Sequence, residues 1–213
     1  MAREMIYWAW EGPPGSGKST QFKKFKDWYL RTFPNSQALF VCEPDKDTEI
    51  GRAMREIFQG LEFSGEISPT ASLLQVAAAR AQLIETKVRP AIENGVAVFS
   101  DRCCESSRVF QVIEGSRRED VEDGIRIATA GLEPNKVVVF DLALEEMRKR
   151  MEKANRVDDR FEKLGPVFLA RVKDGYLQRA REDPDRIFVV DGSGDESEVF
   201  GRVTQALLGV EGA

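Results

Sequence analysis

The residues best suited to chemistry lie in a glycine-rich loop near the amino terminus. Residues 12–19 read Gly-Pro-Pro-Gly-Ser-Gly-Lys-Ser and satisfy the phosphate-binding pattern G-x-x-x-x-G-K-[ST]. Glycines let backbone N–H groups turn around phosphate oxygens, while Lys18 can reach the β and γ phosphates and Ser19 can ligate Mg²⁺. The candidate ATP-binding residues of this loop are Gly12, Pro13, Pro14, Gly15, Ser16, Gly17, Lys18, Ser19 and Thr20.

A second candidate site follows an apolar run at residues 96–100. Asp101 and Arg102 come directly after this predicted strand, at the carboxyl edge of the sheet, where ligands bind in such folds. Asp101 is a candidate for holding Mg²⁺, partly through water, and Arg102 for gripping a phosphate bidentately. A surface ion pair is the alternative. Together with Lys18, the two residues favour a kinase that holds an acceptor phosphate opposite ATP.

Other proteins with such a loop would show further motifs. A GTPase would need Asn-Lys-x-Asp, but Asn135-Lys136 is followed by two valines and begins a predicted strand. A helicase or AAA-type motor would need an Asp-Glu pair at a strand end, and neither Asp101 nor Asp141 is followed by Glu. A P-loop ATP-binding regulator without acceptor turnover stays open, and it predicts ATP binding without ADP release stimulated by a monophosphate.

The composition narrows the chemistry and the partners. The 213 residues include no histidine, which excludes imidazole bases, Ser-His-Asp hydrolases and histidine-ligated zinc. The net charge of −5 argues against wholesale binding to nucleic acid or to an anionic membrane. Three cysteines, two of them adjacent, and the lack of any apolar run long enough to cross a bilayer predict a cytoplasmic protein with no membrane partner.

One basic segment stands out against this acidic background. Residues 147–160 contain six Lys or Arg residues and three Asp or Glu residues, a local charge of +3 in a chain whose remainder sums to −8. A basic segment that closes over ATP would supply positive charge and exclude water during phosphoryl transfer. The alternative is a solvated helix face. We predict a small lid at about residues 147–162.

Alternating strand and helix patterns must position these residues. Apolar runs at residues 6–10, 38–42, 96–100, 137–140 and 187–190 are typical of buried strands, and helical spacings lie between them. They predict an α/β fold: a doubly wound, parallel, five-stranded sheet with helices on both faces, as in P-loop NTPases. No composition shift divides the chain, so residues 1–213 are predicted to form a single domain that carries the lid. The aromatic residues of the first strand, Tyr7, Trp8 and Trp10, are predicted to pack in the core.

Several motifs together resemble the thymidylate kinases, a family of nucleoside monophosphate kinases. They are Trp10-Glu11-Gly12 with Gly17-Lys18-Ser19-Thr20, Glu43-Pro44, Ala79-Arg80-Ala81-Gln82, Arg89-Pro90-Ala91, Asp101-Arg102 with Ser106-Ser107 and Phe110-Gln111, and Asp159-Arg160-Phe161-Glu162. The resemblance implies transfer of the ATP γ-phosphoryl group to dTMP, giving dTDP and ADP, with Mg²⁺. It also implies a homodimer whose ligands are ATP and a nucleoside monophosphate.

The resemblance assigns roles to individual residues. It implies that Arg80 hydrogen-bonds the pyrimidine, that Arg102 binds the acceptor phosphate, and that Arg150 lies against adenine. The substrate-binding candidates are Glu43, Val76, Arg80, Arg102, Ser107, Phe110 and Gln111. The catalytic candidates are Lys18, Asp101, Arg102 and Arg156, the last chosen from the lid, where Lys153 and Arg160 are alternatives.

Three positions depart from the family pattern. Pro14 replaces the usual acidic residue near the sugar, Cys42 replaces the Arg that usually precedes Glu-Pro, and Val76 replaces the aromatic residue that stacks on thymine. Loss of stacking is worth about 1–3 kcal/mol per base, enough to change which base is preferred. Another deoxynucleoside monophosphate, including one with a larger 5-substituent, is therefore the alternative acceptor.

Overall fold

Five parallel strands form the centre of the molecule. A computed structural model describes residues 5–59, 67–154 and 165–209. The strands are β1 (Tyr7–Glu11), β2 (Ala38–Cys42), β3 (Ala97–Asp101), β4 (Lys136–Asp141) and β5 (Ile187–Asp191), in the spatial order β2-β3-β1-β4-β5. All neighbouring pairs are parallel, so the carboxyl ends of the strands share one edge of the sheet. The predicted five-stranded α/β fold is confirmed, with strand bounds that differ by at most one residue.

Helices connect the strands and cover both faces of the sheet. Their bounds are α1 (Lys18–Thr32), α2 (Glu49–Gln59), α3 (Pro69–Leu83), α4 (Arg89–Glu93), α5 (Cys104–Glu114), α6 (Arg118–Thr129), α7 (Leu144–Ala154), α8 (Gly165–Glu182) and α9 (Glu196–Leu208). A π-helical turn, Ile84–Val88, joins α3 to α4. No helix of the described ranges combines the length and apolar character that crossing a lipid bilayer would demand.

Side chains that alternate along β4 enter two separate cores, one on each face of the sheet. On β4, Val137 and Val139 join the core beneath α5, α6 and α8, while Val138 and Phe140 join the core beneath α1 and α9. Because both faces are covered, the strand interior is apolar on both sides. Trp10 is fully buried and packs its ring 4.7 Å from that of Phe25, so the predicted core role of the first strand's aromatic residues is confirmed.

The predicted lid begins inside a regular helix. Its first residues, 147–154, belong to α7, and Met147 is fully buried in a small core with Leu142 and Leu169. Met147 therefore anchors the start of this basic segment to the fold. The rest of the predicted lid, including Arg156 and the Asp159-Arg160-Phe161-Glu162 motif, lies outside the described residues.

Candidate active site

The phosphate-binding loop connects β1 to α1 and packs against α7. Gly17 has a left-handed backbone (φ 92°) and caps α1, so Lys18 becomes the first helical residue. Gly15 is also left-handed (φ 76°), and a Cβ atom there would lie 2.5 Å from the carbonyl oxygen of Met147. Only glycine fits this contact. The other predicted loop residues, Gly12, Pro13, Pro14 and Ser16, lie in the same loop, and Ser19 and Thr20 lie in the first turn of α1.

Lys18 and Ser19 meet Asp101 across the loop. The Lys18 ammonium forms an ion pair with Asp101 Oδ1, and the Ser19 hydroxyl donates to Asp101 Oδ2 at 3.0 Å. Burial would raise the pKa of Asp101, but the charges of Lys18 and Arg102 hold it below its ordinary value. The structure thus joins three residues that the sequence placed in two separate motifs, and it keeps the carboxylate ionised.

The residues at this point suit Mg²⁺. Ser19 Oγ and Asp101 Oδ2 are oxygen atoms that can ligate a metal, and they lie 3.0 Å apart. Two adjacent ligands of an octahedral Mg²⁺ lie about 2.9 Å apart when each bond is about 2.05 Å. The two oxygen ligands and the distance between them therefore both suit the predicted Mg²⁺.

Arg102 projects from the end of β3 with an unusual backbone. Its φ is +79°, in the left-handed region that non-glycine residues rarely adopt. Its N–H donates to the Trp10 carbonyl at 2.9 Å, and its carbonyl accepts from the Ser100 hydroxyl at 2.6 Å, so both ends of the residue are held. The guanidinium lies over the Phe110 ring, with Cζ 5.5 Å from the ring centroid. It is partly exposed at the carboxyl edge of the sheet.

Glu11 is a functional candidate that the sequence analysis did not assign a role. The carboxylate is fully buried and accepts four hydrogen bonds, from the backbone N–H groups of Cys103 (2.8 Å) and Ser106 (2.9 Å) and from the hydroxyls of Ser106 (2.8 Å) and Tyr176 (2.7 Å). Arg102 Nη1 lies 3.6 Å from Glu11 Oε2. A carboxylate at the end of an otherwise apolar strand was the available signal, because such a group is rarely buried without a set of donors.

Arg80 brings together three of the predicted substrate-binding residues. Its Nε donates to Glu43 Oε2 at 2.8 Å, Nη1 to the Ser107 hydroxyl at 2.9 Å, and Nη2 to the Cys103 carbonyl at 3.1 Å. Burial would lower the pKa of Arg80, but the Glu43 carboxylate holds it above its ordinary value. The guanidinium is therefore a fixed, charged donor at the meeting point of β2, α3 and α5.

The other predicted substrate-binding residues line the same two helices. Phe110 and Gln111 are buried on α5, and Val76 is half-buried on α3, one turn before Arg80. Gln111 Nε2 lies 3.3 Å from Glu114 Oε2 and 3.5 Å from the Ser72 hydroxyl. Gln111 is therefore held within a polar cluster between α3 and α5.

Arg150 borders a cleft beside the phosphate-binding loop. It donates to the Gly192 carbonyl at 3.2 Å, and a Cβ atom on Gly17 would lie 3.3 Å from its Nη1. The cleft has a volume of about 440 Å³, and its lining residues are Asp141, Leu142, Ala143, Glu146, Arg150, Asp191, Ser193 and Gly194. A pocket of this size can hold part of a nucleotide.

Comparison with known proteins decides which family carries this site. Residues 10–203 match the family model described as thymidylate kinase. The chain belongs to the thymidylate kinase family. It is 36% identical over 185 residues to the thymidylate kinase of Thermoanaerobacter sp. (strain X514), covering 86% of this chain and 88% of that protein. It is 38% identical over 175 residues to the thymidylate kinase of Synechococcus sp. (strain WH7803), covering 81% of each.

The fold agrees with this membership of the thymidylate kinase family. The crystal structure of thymidylate kinase from Ehrlichia chaffeensis superposes with a TM-score of 0.74 and 20% sequence identity, covering 95% of this chain and 98% of that one. As a member of the thymidylate kinase family, the protein is an ATP-dependent phosphotransferase. The alternative of a P-loop regulator without turnover is not favoured.

Proposed function

We propose that the protein transfers the γ-phosphoryl group of ATP to dTMP and releases dTDP and ADP. The observation that carries this proposal is the convergence of Lys18, Asp101 and Arg102 at one edge of the sheet. Lys18 and Asp101 belong to the proposed triphosphate site. Arg102 projects from the same strand end and is placed to bind the acceptor. We infer that the acceptor is dTMP because the chain belongs to the thymidylate kinase family.

The acceptor is proposed to lie between α3 and α5. Arg102 binds its phosphate, while Arg80, fixed by Glu43 and Ser107, donates to the pyrimidine. A partly exposed guanidinium at the strand end offers the planar pair of donors that matches two phosphate oxygens. Val76 lies one turn from Arg80, at the position where the resemblance expects an aromatic residue. The base is therefore held mainly by hydrogen bonds and by contacts with Phe110.

The donor is proposed to extend from the Arg150 cleft across the phosphate-binding loop. Adenine lies against Arg150, and the β and γ phosphates lie within the loop, where backbone N–H groups and Lys18 neutralise their charge. Lys18 carries three N–H donors, so it can bind phosphate while it keeps its contact with Asp101. Arg156 is proposed to complete the positive charge around the transferring group.

The predicted Mg²⁺ fits the oxygens of Ser19 and Asp101. Ser19 and Asp101 would hold the ion, partly through water, and it would supply positive charge against the negative charge that develops on the phosphates. Asp101 stays ionised for this role because Lys18 and Arg102 hold its pKa low.

The chemistry requires no general base, which agrees with a chain that has no histidine. The second pKa of a phosphate monoester is about 6, so the acceptor oxygen is already anionic near neutral pH. It attacks the γ phosphorus, the bond from that phosphorus to the oxygen bridging the β and γ phosphates breaks, and ADP leaves with this oxygen. Catalysis then depends on positioning and on positive charge, which Lys18 and Arg102 supply.

The test is ADP release in the presence of Mg-ATP and a panel of ribo- and deoxynucleoside monophosphates. We expect dTMP to give the highest kcat/KM. If another deoxynucleotide outcompetes dTMP, the acceptor assignment is wrong. The change of base preference would then be attributed to Val76 in the base pocket. If no monophosphate stimulates ADP release, the proposed function is wrong altogether.

The family resemblance also leads us to propose a cytoplasmic homodimer. Light scattering on the purified protein should give twice the mass of one chain, and a monomer at working concentration would contradict the dimer. Recovery of the native protein from a membrane or secreted fraction would contradict the location.

A further inference from the structure

We propose that Tyr176 is a positioning residue for the acceptor phosphate, because its hydroxyl, together with Glu11 and Ser106, fixes the guanidinium of Arg102. The inference rests on the proposed function, since it takes Arg102 as the group that binds the acceptor phosphate. It adds a residue of α8, a helix for which neither the sequence motifs nor the family resemblance supplied a site residue.

Three contacts converge on one terminal nitrogen of Arg102. Nη1 lies 3.1 Å from the Ser106 hydroxyl, 3.3 Å from the Tyr176 hydroxyl and 3.6 Å from Glu11 Oε2. Arginine has many rotamers, and a bidentate grip on phosphate requires one of them. The three oxygens select that rotamer before the acceptor binds, which lowers the cost of binding.

The three oxygens in turn fix one another. The Tyr176 hydroxyl donates to Glu11 Oε2 at 2.7 Å and lies 3.1 Å from the Ser106 hydroxyl. Tyr176 and Glu11 are both fully buried, so these bonds are shielded from water. Burial and the Glu11 charge raise the pKa of Tyr176 well above its ordinary value, so the hydroxyl remains a donor across the working pH range.

The backbone of Arg102 makes this support necessary. The residue has a left-handed backbone, which its bonds to Trp10 and Ser100 maintain. Glu11 accepts from the N–H groups of Cys103 and Ser106, the residues that follow Arg102. The Glu11 carboxylate therefore stabilises both the turn that follows Arg102 and the Arg102 side chain.

The hydroxyl can be removed without removing the ring. In Tyr176→Phe the ring keeps its packing against Phe110, whose centroid lies 6.4 Å away, while Glu11 and Arg102 each lose one partner. Tyr29→Phe is the matched control, because Tyr29 lies on α1 beneath the opposite face of the sheet, with its ring 4.8 Å from Phe99. Both variants delete one tyrosine hydroxyl.

The decisive measurement compares the binding of dTMP and thymidine by titration calorimetry. Tyr176→Phe should weaken dTMP binding about tenfold, because a misplaced guanidinium loses the phosphate. Thymidine binding and the KM for ATP should stay within about twofold, as should every property of Tyr29→Phe. In an Arg102→Ala background, Tyr176→Phe should change dTMP binding by less than about twofold, because the residue acts through Arg102.

Two results would overturn the proposal. One is dTMP binding by Tyr176→Phe within about twofold of the parent protein, and the other is an equal loss for dTMP and thymidine, which would indicate a merely structural role. The parent protein is assayed alongside with the monophosphate panel. If the parent phosphorylates dTMP while Tyr176→Phe is normal, only this inference fails. If the parent phosphorylates nothing, the proposed function fails first.

Discussion

Lys18 and Asp101 form an ion pair that joins the first residue of α1 to the last residue of β3. The pair closes the phosphate-binding loop onto the sheet edge where Arg102 follows. Burial lowers the pKa of Lys18, and the Asp101 carboxylate opposes that shift. The Asp101 carboxylate therefore favours the charged form of Lys18, the ammonium that we propose binds the triphosphate.

Removing the ammonium should abolish most turnover. Lys18→Ala is expected to lower kcat by about 10²–10³-fold, the usual cost of losing one donor to the charge that develops in a transition state. Lys23→Ala is the matched control, because Lys23 is an exposed lysine on the same helix and should leave kcat unchanged. Circular dichroism should show both variants folded. Near-normal turnover in Lys18→Ala would contradict the assigned role.

Neutralising Asp101 should shift the pH dependence. In Asp101→Asn the burial of Lys18 is no longer opposed by a carboxylate, so the pKa of Lys18 falls further below its ordinary value. The charged form is then lost at a lower pH. A profile of kcat/KM for ATP, which reports the free enzyme, should show its alkaline limb displaced to lower pH than in the parent protein. An alkaline limb that does not move would show that Asp101 does not control Lys18.

The loop and the strand-end pair were both predictable, but their contact was not. Residues 12–19 matched a motif, and Asp101 and Arg102 followed an apolar run. Neither pattern encodes the strand order, and only the pairing of β1 with β3 brings Asp101 within reach of Lys18 and Ser19. Residues that are distant in sequence meet at the edge of a parallel sheet. Sequence motifs can therefore identify the residues of a site, but not the distances between them.

Arginine should be required at position 102. Arg102→Lys keeps the charge but replaces the planar pair of donors with a single ammonium. We expect kcat/KM for dTMP to fall about 10²-fold, while the KM for ATP changes by less than about twofold. Arg126→Lys, an exposed arginine on α6, serves as the control. Equal losses for ATP and dTMP would indicate that Arg102 does not distinguish acceptor from donor.

A buried ionic cluster should dominate the stability of the α5 and α8 region. Glu105 is fully buried and contacts Arg108 (2.8 Å), Arg179 (2.9 Å) and Arg186 (2.6 Å). Glu105→Gln should lower the free energy of unfolding by about 1–3 kcal/mol, because it removes a fully buried charge that three largely buried guanidinium groups share, although each keeps a second carboxylate partner. Glu122→Gln removes an exposed partner of the same Arg108 and should cost about 0–1 kcal/mol. Urea unfolding measures both, and equal costs would contradict the distinction.

The same cluster predicts a pH dependence of stability. Burial would raise the pKa of Glu105, but Arg108, Arg186 and Arg179 hold it below its ordinary value of 4.5. A carboxylate with a depressed folded-state pKa stabilises the protein above its unfolded-state pKa, and this contribution is lost as the pH falls through the folded-state value. Urea unfolding of the parent protein should therefore show stability falling below about pH 4.5, more steeply than in Glu105→Gln. Parallel slopes would contradict the assignment.

Buried polar side chains are where the sequence was least informative. Glu11, Glu105 and Tyr176 stand in apolar or helical patterns that predict the fold correctly without them. Most of their partners lie on other elements, far away in sequence. Hydrophobic periodicity identifies which face of an element is buried. A buried carboxylate, in contrast, is stabilised by hydrogen-bond donors on other elements, which periodicity does not reveal. Glu11 is therefore a candidate site residue that only the structure identifies.

The fate of the γ-phosphoryl group tests the proposed transfer to dTMP directly. The protein is incubated with Mg²⁺, dTMP and ATP labelled with ³²P in the γ position, and the products are separated by chromatography. Transfer to dTMP should place the label in the β phosphoryl group of dTDP, with unlabelled ADP formed in equal amount. Label recovered only as inorganic phosphate, or retained in ATP, would contradict the claim that this site transfers phosphate to dTMP.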